Sequence, residues 1–448
     1  MASPDPTEPA TTGRFERLLG GSESLRGQLI RGGIGSMAVK IAGLLLNLAV
    51  AVVLARLLGP AGYGTYAFAL SIIMLLAIPA MFGVPNLLVR EVAKYQLHEQ
   101  WPLLRGALRR SHQAVSLMAL IIGALALLII LGRGESLAEP GRLTFAIGLL
   151  LLPLLALNSL RGAALRGLRR VVQGQLAEMV LTPGLLVLFA LAFAVGLSLT
   201  PPLAMLAHAA AALTAFIAGS WLLRRALPLQ VQTVAPAYSS SEWLAGVLPF
   251  SLITGIQVIN NQADIVMLGI LTDNAAVGLY KVAVQGSVLV AFGLTALNMV
   301  LAPHITRLYQ QGERERLQRM VKASARVVLL IALPVAAVFA LFGATLLELV
   351  FGSDYRGAHT ALAILAAGQL CNAAAGSVAL LLNMSGHERL TAWGVGCAAV
   401  VNILLNLILI PRFGINGAAM ATAVTLACWN GLLIIAVRRK LDINSTAF

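Results

Sequence analysis

Polar side chains recur at helical spacing inside otherwise apolar stretches of this chain. Gln257, Asn260, Asn261 and Asp264 fall at i, i+3, i+4 and i+7, which on a helix makes one continuous stripe. Ser36, Lys40, Gly43 and Asn47 do the same at i, i+4, i+7 and i+11. Lys281 has Gln285 one turn on, Gln175 precedes Glu178 and Thr182, and Asn402 and Asn406 share a face. Ammonium and amide groups facing a carboxylate can replace the hydration shell of a polar or charged ligand. These residues are therefore candidates for binding and moving a ligand, with Asp264 and Glu178 as candidate coupling groups.

Reaction chemistry finds little support. The six histidines form no HxxxH or HExxH pattern, Cys371, Cys397 and Cys428 have no metal-type spacing, and there is no Gly-rich Lys loop for a nucleotide. No cofactor or metal is expected. The chain is not read as an enzyme, because no gap between apolar runs exceeds about 20 residues, too few for a soluble catalytic domain.

The elements that must position these groups are membrane helices. Apolar residues make up 59% of the 448 and charged residues 11%, with mean hydropathy +0.87. A crossing helix needs about 20 mostly apolar residues. By that length twelve spans emerge, at 32–57, 62–83, 109–132, 142–163, 174–198, 202–223, 244–271, 276–302, 325–351, 358–383, 389–410 and 415–437. The alternating ten-residue runs of a barrel are missing, so the fold class is all-α integral membrane.

Of the 32 Lys and Arg residues, 25 lie before the first span or at the gaps after even-numbered spans. The odd gaps hold only Arg56, Arg133, Arg142, Arg356 and Arg412, while Lys40 and Lys281 lie inside spans. Positive charge is retained inside, so both termini are expected in the cytoplasm. The net charge of +14 is then a topology signal and an affinity for membrane lipids, with no nucleic-acid partner implied. Residues 1–31 read as a cytoplasmic tail without a cleavable signal, in which Arg14 to Arg31 suits a helix lying on the membrane surface. The basic run from Arg307 to Arg326 reads as an amphipathic connector between the lobes.

An ionisable group in a span costs roughly 2.5–3.5 kcal/mol on insertion, so it faces the bundle interior or a wet cavity. Lys40, Asp264 and Lys281 thus mark a cavity or, alternatively, interhelical contacts; one version of the second reading has Asp264 and Lys281 neutralising each other. The chain also repeats. Residues 57–69 laid over 271–283, 214 residues on, align Leu57 with Leu271, Gly64 with Gly278 and Tyr66 with Tyr280. A second match aligns Gly167 with Gly386 and Arg170 with Arg389. Two lobes of six helices each would enter the membrane in the same sense, a parallel repeat with the cavity between them. The expected divisions are an N-lobe at 32–225, a linker at 226–243, a C-lobe at 244–440 and a tail at 441–448.

The segments ARLLGPAGYGTYAFALSI (55–72), GVPNLLVREVAKY (83–95), ADIVMLGILTDNAAVGLYKVA (263–283), LLLNMSGHERL (380–390) and LLNLILIPRFGINGAAMATAV (404–424) resemble the polysaccharide-biosynthesis flippases. That family, of the multidrug/oligosaccharidyl-lipid/polysaccharide exporter superfamily, includes O-antigen and capsule unit flippases. The resemblance implies a V-shaped pair of lobes in the bacterial cytoplasmic (inner) membrane. By alternating access they would carry a polyprenyl-diphosphate-linked oligosaccharide to the outer leaflet. It also implies a cation at Lys40, an Arg at Arg90, an acid at Asp264 and a base near Lys281, and leaves a place for polymerase or assembly proteins as partners. Lys40 keeps the charge but not the bidentate fork of an arginine. Competing readings are a drug or organic-cation antiporter of the same superfamily, which would want acids in the cavity, and a non-transporting scaffold of a polysaccharide assembly complex.

The topology is testable by labelling intact cells with an impermeant maleimide, on a background with the three cysteines replaced by serine. Asp273→Cys should react directly, and Gly312→Cys only after permeabilisation.

Overall fold

With no water in hydrocarbon to satisfy backbone groups, an apolar chain can cross only as helix or closed barrel. The computed structural model describes residues 25–132, 141–196 and 198–447, and every regular element among them is helical. The expected surface helix from Arg14 lies outside the described residues up to Leu25, where it joins α1 (Leu25–Met81).

At about 1.5 Å per residue, the 57 residues of α1 would span nearly three hydrocarbon thicknesses if straight. They do not run straight. Gly59 adopts φ 66°, a conformation glycine takes without steric cost, and Pro60 follows it. Asn47 and Met74 then line one cavity, so α1 is a hairpin of two crossings. The 54 residues Glu388–Leu441 at the other end of the chain behave alike, folding back at Gly414 (φ 54°) just after Pro411.

Between them run α2 (Val84–Leu97), α3 (Trp101–Gly132), α4 (Gly141–Gly148) with α5 (Leu151–Gly167), and α6 (Val171–Leu176). A π-turn at Ala177–Leu181 leads into α7 (Thr182–Gly196), then α8 (Pro201–Ala226) and the short α9 (Leu229–Thr233). The second half holds α10 (Ser240–Leu271), α11 (Asn274–Gln310), α12 (Arg314–Phe351), α13 (His359–Ala375) with α14 (Val378–Met384), and α15 (Glu388–Leu441). Eight of these helical stretches are long and apolar enough to cross a membrane, or nine with the bent α13–α14 pair. Counting both hairpins twice and adding the 32-residue α10 gives twelve crossings among the described residues.

Two expectations change. No separate amphipathic connector spans Arg307 to Arg326: α11 runs on to Gln310 and α12 starts at Arg314, a tight turn within the second half rather than a link between lobes. The link between halves is residues 227–239, which contain α9. The helix α2 was not expected; Gly83 (φ 72°) and Pro85 end one helix and start the next, and Leu87, Leu88, Val92 and Tyr95 bury its inner face.

The repeat shows itself where the halves cross. A Cβ added to Gly64 would lie 2.9 Å from the Gly278 nitrogen, and one added to Gly278 would lie 3.2 Å from the Gly64 nitrogen. Each would also strike a backbone carbonyl, that of Asn274 for Gly64 and that of Pro60 for Gly278. Pro60 and Asn274 are again 214 residues apart, so the contact is a local two-fold. The second repeat match is off by two. The left-handed residues that end α5 and α14 are Arg169 (φ 63°) and Gly386 (φ 80°), so Gly386 corresponds to Arg169. Gly167 serves a different purpose, letting α5 approach Val92.

The halves also meet at both ends. Near Gly59, Tyr355 Oη donates to the Ala55 carbonyl at 3.0 Å, and Arg56 Nε donates to Val350 O at 2.8 Å and its guanidinium to Leu349 O. Burial pushes the Tyr355 phenol up, which keeps it a neutral donor. At the opposite, arginine-rich end, Trp243 Nε1 donates to Tyr95 Oη (2.9 Å) and Asn86 Nδ2 to Thr254 Oγ1 (3.0 Å). The result is an all-α membrane bundle of two parallel six-helix lobes with cavities between and within them.

Gly278→Leu would force a side chain into backbone of the facing helix. It should destabilise the purified protein by roughly 1–3 kcal/mol or more, read as a lowered Tm in detergent.

Candidate functional site

Three adjoining cavities occupy the middle of the bundle. The first, about 450 Å³, is lined from α1 by Asn47, Tyr63 and Tyr66, from the π-turn by Glu178, from α8 by His208, and from the second half by Gln262, Lys281 and Gln285. The second, about 310 Å³, holds Lys40 between α1 and α11 and shares Asn47 with the first. The third, about 360 Å³, holds Asn260, Asn261 and Asp264 and shares Val288 with the second.

Local structure explains these placements. The π-turn inserts an extra residue per turn, a device common at functional sites, and it carries Glu178. Thr182 Oγ1 donates to the freed Ala177 carbonyl at 2.9 Å. Gly43 lies so close to Met179 that a Cβ there would be 3.0 Å from its carbonyl oxygen, and Ser36 Oγ donates to Gln175 Oε1 at 2.9 Å. These contacts lock the Lys40 and Asn47 face of α1 against Glu178.

Asp264 is buried and accepts three hydrogen bonds: from Thr422 Oγ1 (2.5 Å), Tyr280 Oη (2.6 Å) and Asn406 Nδ2 (2.6 Å). Asn406 Nδ2 also donates to Asn402 Oδ1 at 3.0 Å, while the buried Asn406 Oδ1 has no hydrogen-bond partner. The mutual neutralisation of Asp264 and Lys281 is not formed. Successive residues on a helix point about 100° apart, so Tyr280 faces Asp264 while Lys281 faces the first cavity. Neither Lys40 nor Lys281 makes an ion pair or hydrogen bond with another described residue.

The remaining candidates lie elsewhere. Gln257 is exposed and lines none of the three cavities. Arg90 sits at the arginine-rich end, paired with the buried Glu91 at 2.9 Å and 5.6 Å from the Phe250 ring. Its neighbourhood is the contact between α2 and α10.

Several site residues escaped sequence reasoning. Tyr66 Oη meets His208 Nδ1 at 2.8 Å in the first half, and Tyr280 Oη meets Thr422 Oγ1 at 3.1 Å in the second. Both members of the second pair stand 214 residues after those of the first, as does Asn261 after Asn47. The repeat offset, extended past its best-matching segment, would have found them.

A hydrogen bond to a charged group contributes about 1.5–3 kcal/mol. Tyr280→Phe, which deletes one donor to Asp264 without changing shape, should destabilise by about that much, and Thr422→Val likewise, as read by thermal unfolding.

Comparison with known proteins adds a family. A family model described as polysaccharide biosynthesis protein matches residues 53–360. Among curated relatives, a probable low-salt glycan biosynthesis flippase of Haloferax volcanii is 24% identical over 193 residues, 43% of this chain and 41% of that protein. A probable flippase of the same organism is 25% identical over 182 residues, 40% of this chain and 38% of that one. The chain thus spans about two fifths of the length of the curated relatives it matches. Among solved structures, the lipid II flippase MurJ in an inward closed conformation superposes with TM-score 0.72 at 13% identity, covering 91% of this chain and 87% of that one. An inward-facing multidrug resistance MATE family transporter of the MOP superfamily gives 0.72 at 15% identity, covering 92% and 98%. At such identities the likeness is one of fold, whereas the family match covers more than half of the chain; the chain belongs to the polysaccharide biosynthesis protein family, on the fold of MOP superfamily transporters.

Proposed function

We propose that this protein is a flippase that moves polyprenyl-diphosphate-linked oligosaccharide from the cytoplasmic to the outer leaflet. The observation that carries this reading is the pair of unpartnered ammonium groups, Lys40 and Lys281, in adjoining cavities joined at Asn47. A diphosphate cannot enter hydrocarbon without its hydration shell. Two cations with Asn47 and Gln285 beside them replace that shell at mid-depth, while the polyprenyl tail stays in the lipid. Gln262 and the amides of the third cavity, Asn260 and Asn261, offer donors and acceptors to sugar hydroxyls.

In this reading the arginine-rich end faces the cytoplasm and the membrane is the bacterial inner membrane. The lobes, 32–225 and 244–440 with the linker 226–243, rock about the Gly64–Gly278 crossing to open one end at a time. Asp264 is the coupling group: a cation or proton arriving beside it, next to the open Asn406 oxygen, alters the contacts of α10, α11 and α15 together. Glu178 is the second such group. Arg90 serves at the cytoplasmic mouth.

One observation favours a second reading. Glu178 shares the first cavity with Tyr63 and Tyr66, and a carboxylate beside aromatic rings suits an organic cation. Proteoliposomes distinguish the two. In the flippase, a polyprenyl-diphosphate oligosaccharide changes leaflet, and Lys281→Ala or Lys40→Ala slows it about tenfold or more, the loss expected for a charge-assisted hydrogen bond. Movement of a small organic cation that is abolished by Glu178→Gln and indifferent to Lys281→Ala would replace the flippase reading with the antiporter.

A further inference from the structure

Insertion alone places arginines at the ends of membrane helices, so most need no ligand. One group at the arginine-rich end is different because it is built into a pocket of about 860 Å³ between α3, α8 and α9. The connector that roofs this pocket is tied down. Ala237 N–H donates to Pro102 O at 2.9 Å and the Arg105 guanidinium donates to Val234 O. Gly106 has no side chain where the Ala237 backbone crosses it.

Arg109 from α3 and Arg224 and Arg225 from α8 line the space together with Arg105, and no carboxylate does. Arg109 and Arg224 make no hydrogen bond or ion pair with another described residue. Arg225 is stacked on Trp221, its guanidinium carbon 3.9 Å from the ring centroid. Four like charges around one cavity repel unless a polyanion enters, and a guanidinium fork matches phosphate oxygens in pairs. The apolar part of the ligand is also provided for. Leu213, Ile217 and Trp221, one turn apart on α8, are 47%, 60% and 51% exposed and form a stripe that leads along the lipid-facing surface to the arginines. Tryptophan at the end of such a stripe marks the headgroup level.

We propose that this pocket holds a resident anionic phospholipid whose headgroup carries two phosphates, with its acyl chains along the α8 stripe. Basic pockets between membrane helices recognise such headgroups. The pocket shares no lining residue with the three central cavities, so the bound lipid is a structural companion of the first lobe, whatever the cargo. It clamps the ends of α3 and α8, which the connector alone otherwise joins.

Native mass spectrometry of the full-length protein in detergent tests this, with cardiolipin, phosphatidylcholine and inorganic diphosphate as probes. The parent should retain one cardiolipin in preference to phosphatidylcholine, with affinity falling about fivefold for each guanidinium removed in Arg109→Ala and Arg224→Ala. Arg109→Gln, at an exposed position, carries the same expectation if Arg224→Ala fails to fold. Equal retention of cardiolipin by parent and variants would overturn the proposal, as would equal retention of phosphatidylcholine. Displacement by inorganic diphosphate as effective as by lipid would make it a soluble-phosphate site. One-for-one displacement by a polyprenyl diphosphate would make it a docking site for cargo.

Discussion

The architecture depends on one close approach, the crossing of α1 and α11 where Gly64 and Gly278 bring two backbones into contact. Without a hydrophobic driving force between helices in lipid, association relies on packing, and small residues permit the closest packing. Because each glycine nests against the residue that precedes the other by four, the contact is self-complementary, like an isologous interface folded into one chain. It fixes the lobes at one end, and the spacing of the helices elsewhere leaves room for the cavities.

That room is not uniform in character. The first cavity mixes Lys281, Glu178 and His208 with two tyrosines, the second has a single charge at Lys40, and the third is organised around a carboxylate with three donors. The charged side chains do not quench one another. Asp264 is satisfied by neutral groups, which leaves the ammonium of Lys281 directed into open space.

Much of this was legible in the residues because a bilayer enforces length and polarity so strictly. Twelve crossings follow from apolar runs, and the hairpins at Gly59 and Gly414 follow from a glycine next to or near a proline between two runs. The interfacial helix α2 was missed because only one of its faces is apolar, which a count of consecutive apolar residues does not register. The stripes on α1 and α10 located cavity walls, yet direction within a stripe was beyond periodicity: Gln257 points outward while Asn260 and Asp264 point in. Tyr280 and Thr422 were invisible because tyrosine and threonine are common in apolar helices and gain meaning only beside Asp264.

The duplicated pairs Tyr66–His208 and Tyr280–Thr422 carry a consequence of their own. The position in the first half that corresponds to Asp264 is Val50, which lines the first cavity with an apolar side chain. Two halves alike in backbone therefore differ in whether a charge sits at the shared locus. A symmetric pair of lobes would respond equally to any ion and would have no preferred sense of motion. Placing the single carboxylate in one half breaks that symmetry, so whatever binds at Asp264 acts on one lobe and leaves its twin as the fixed frame.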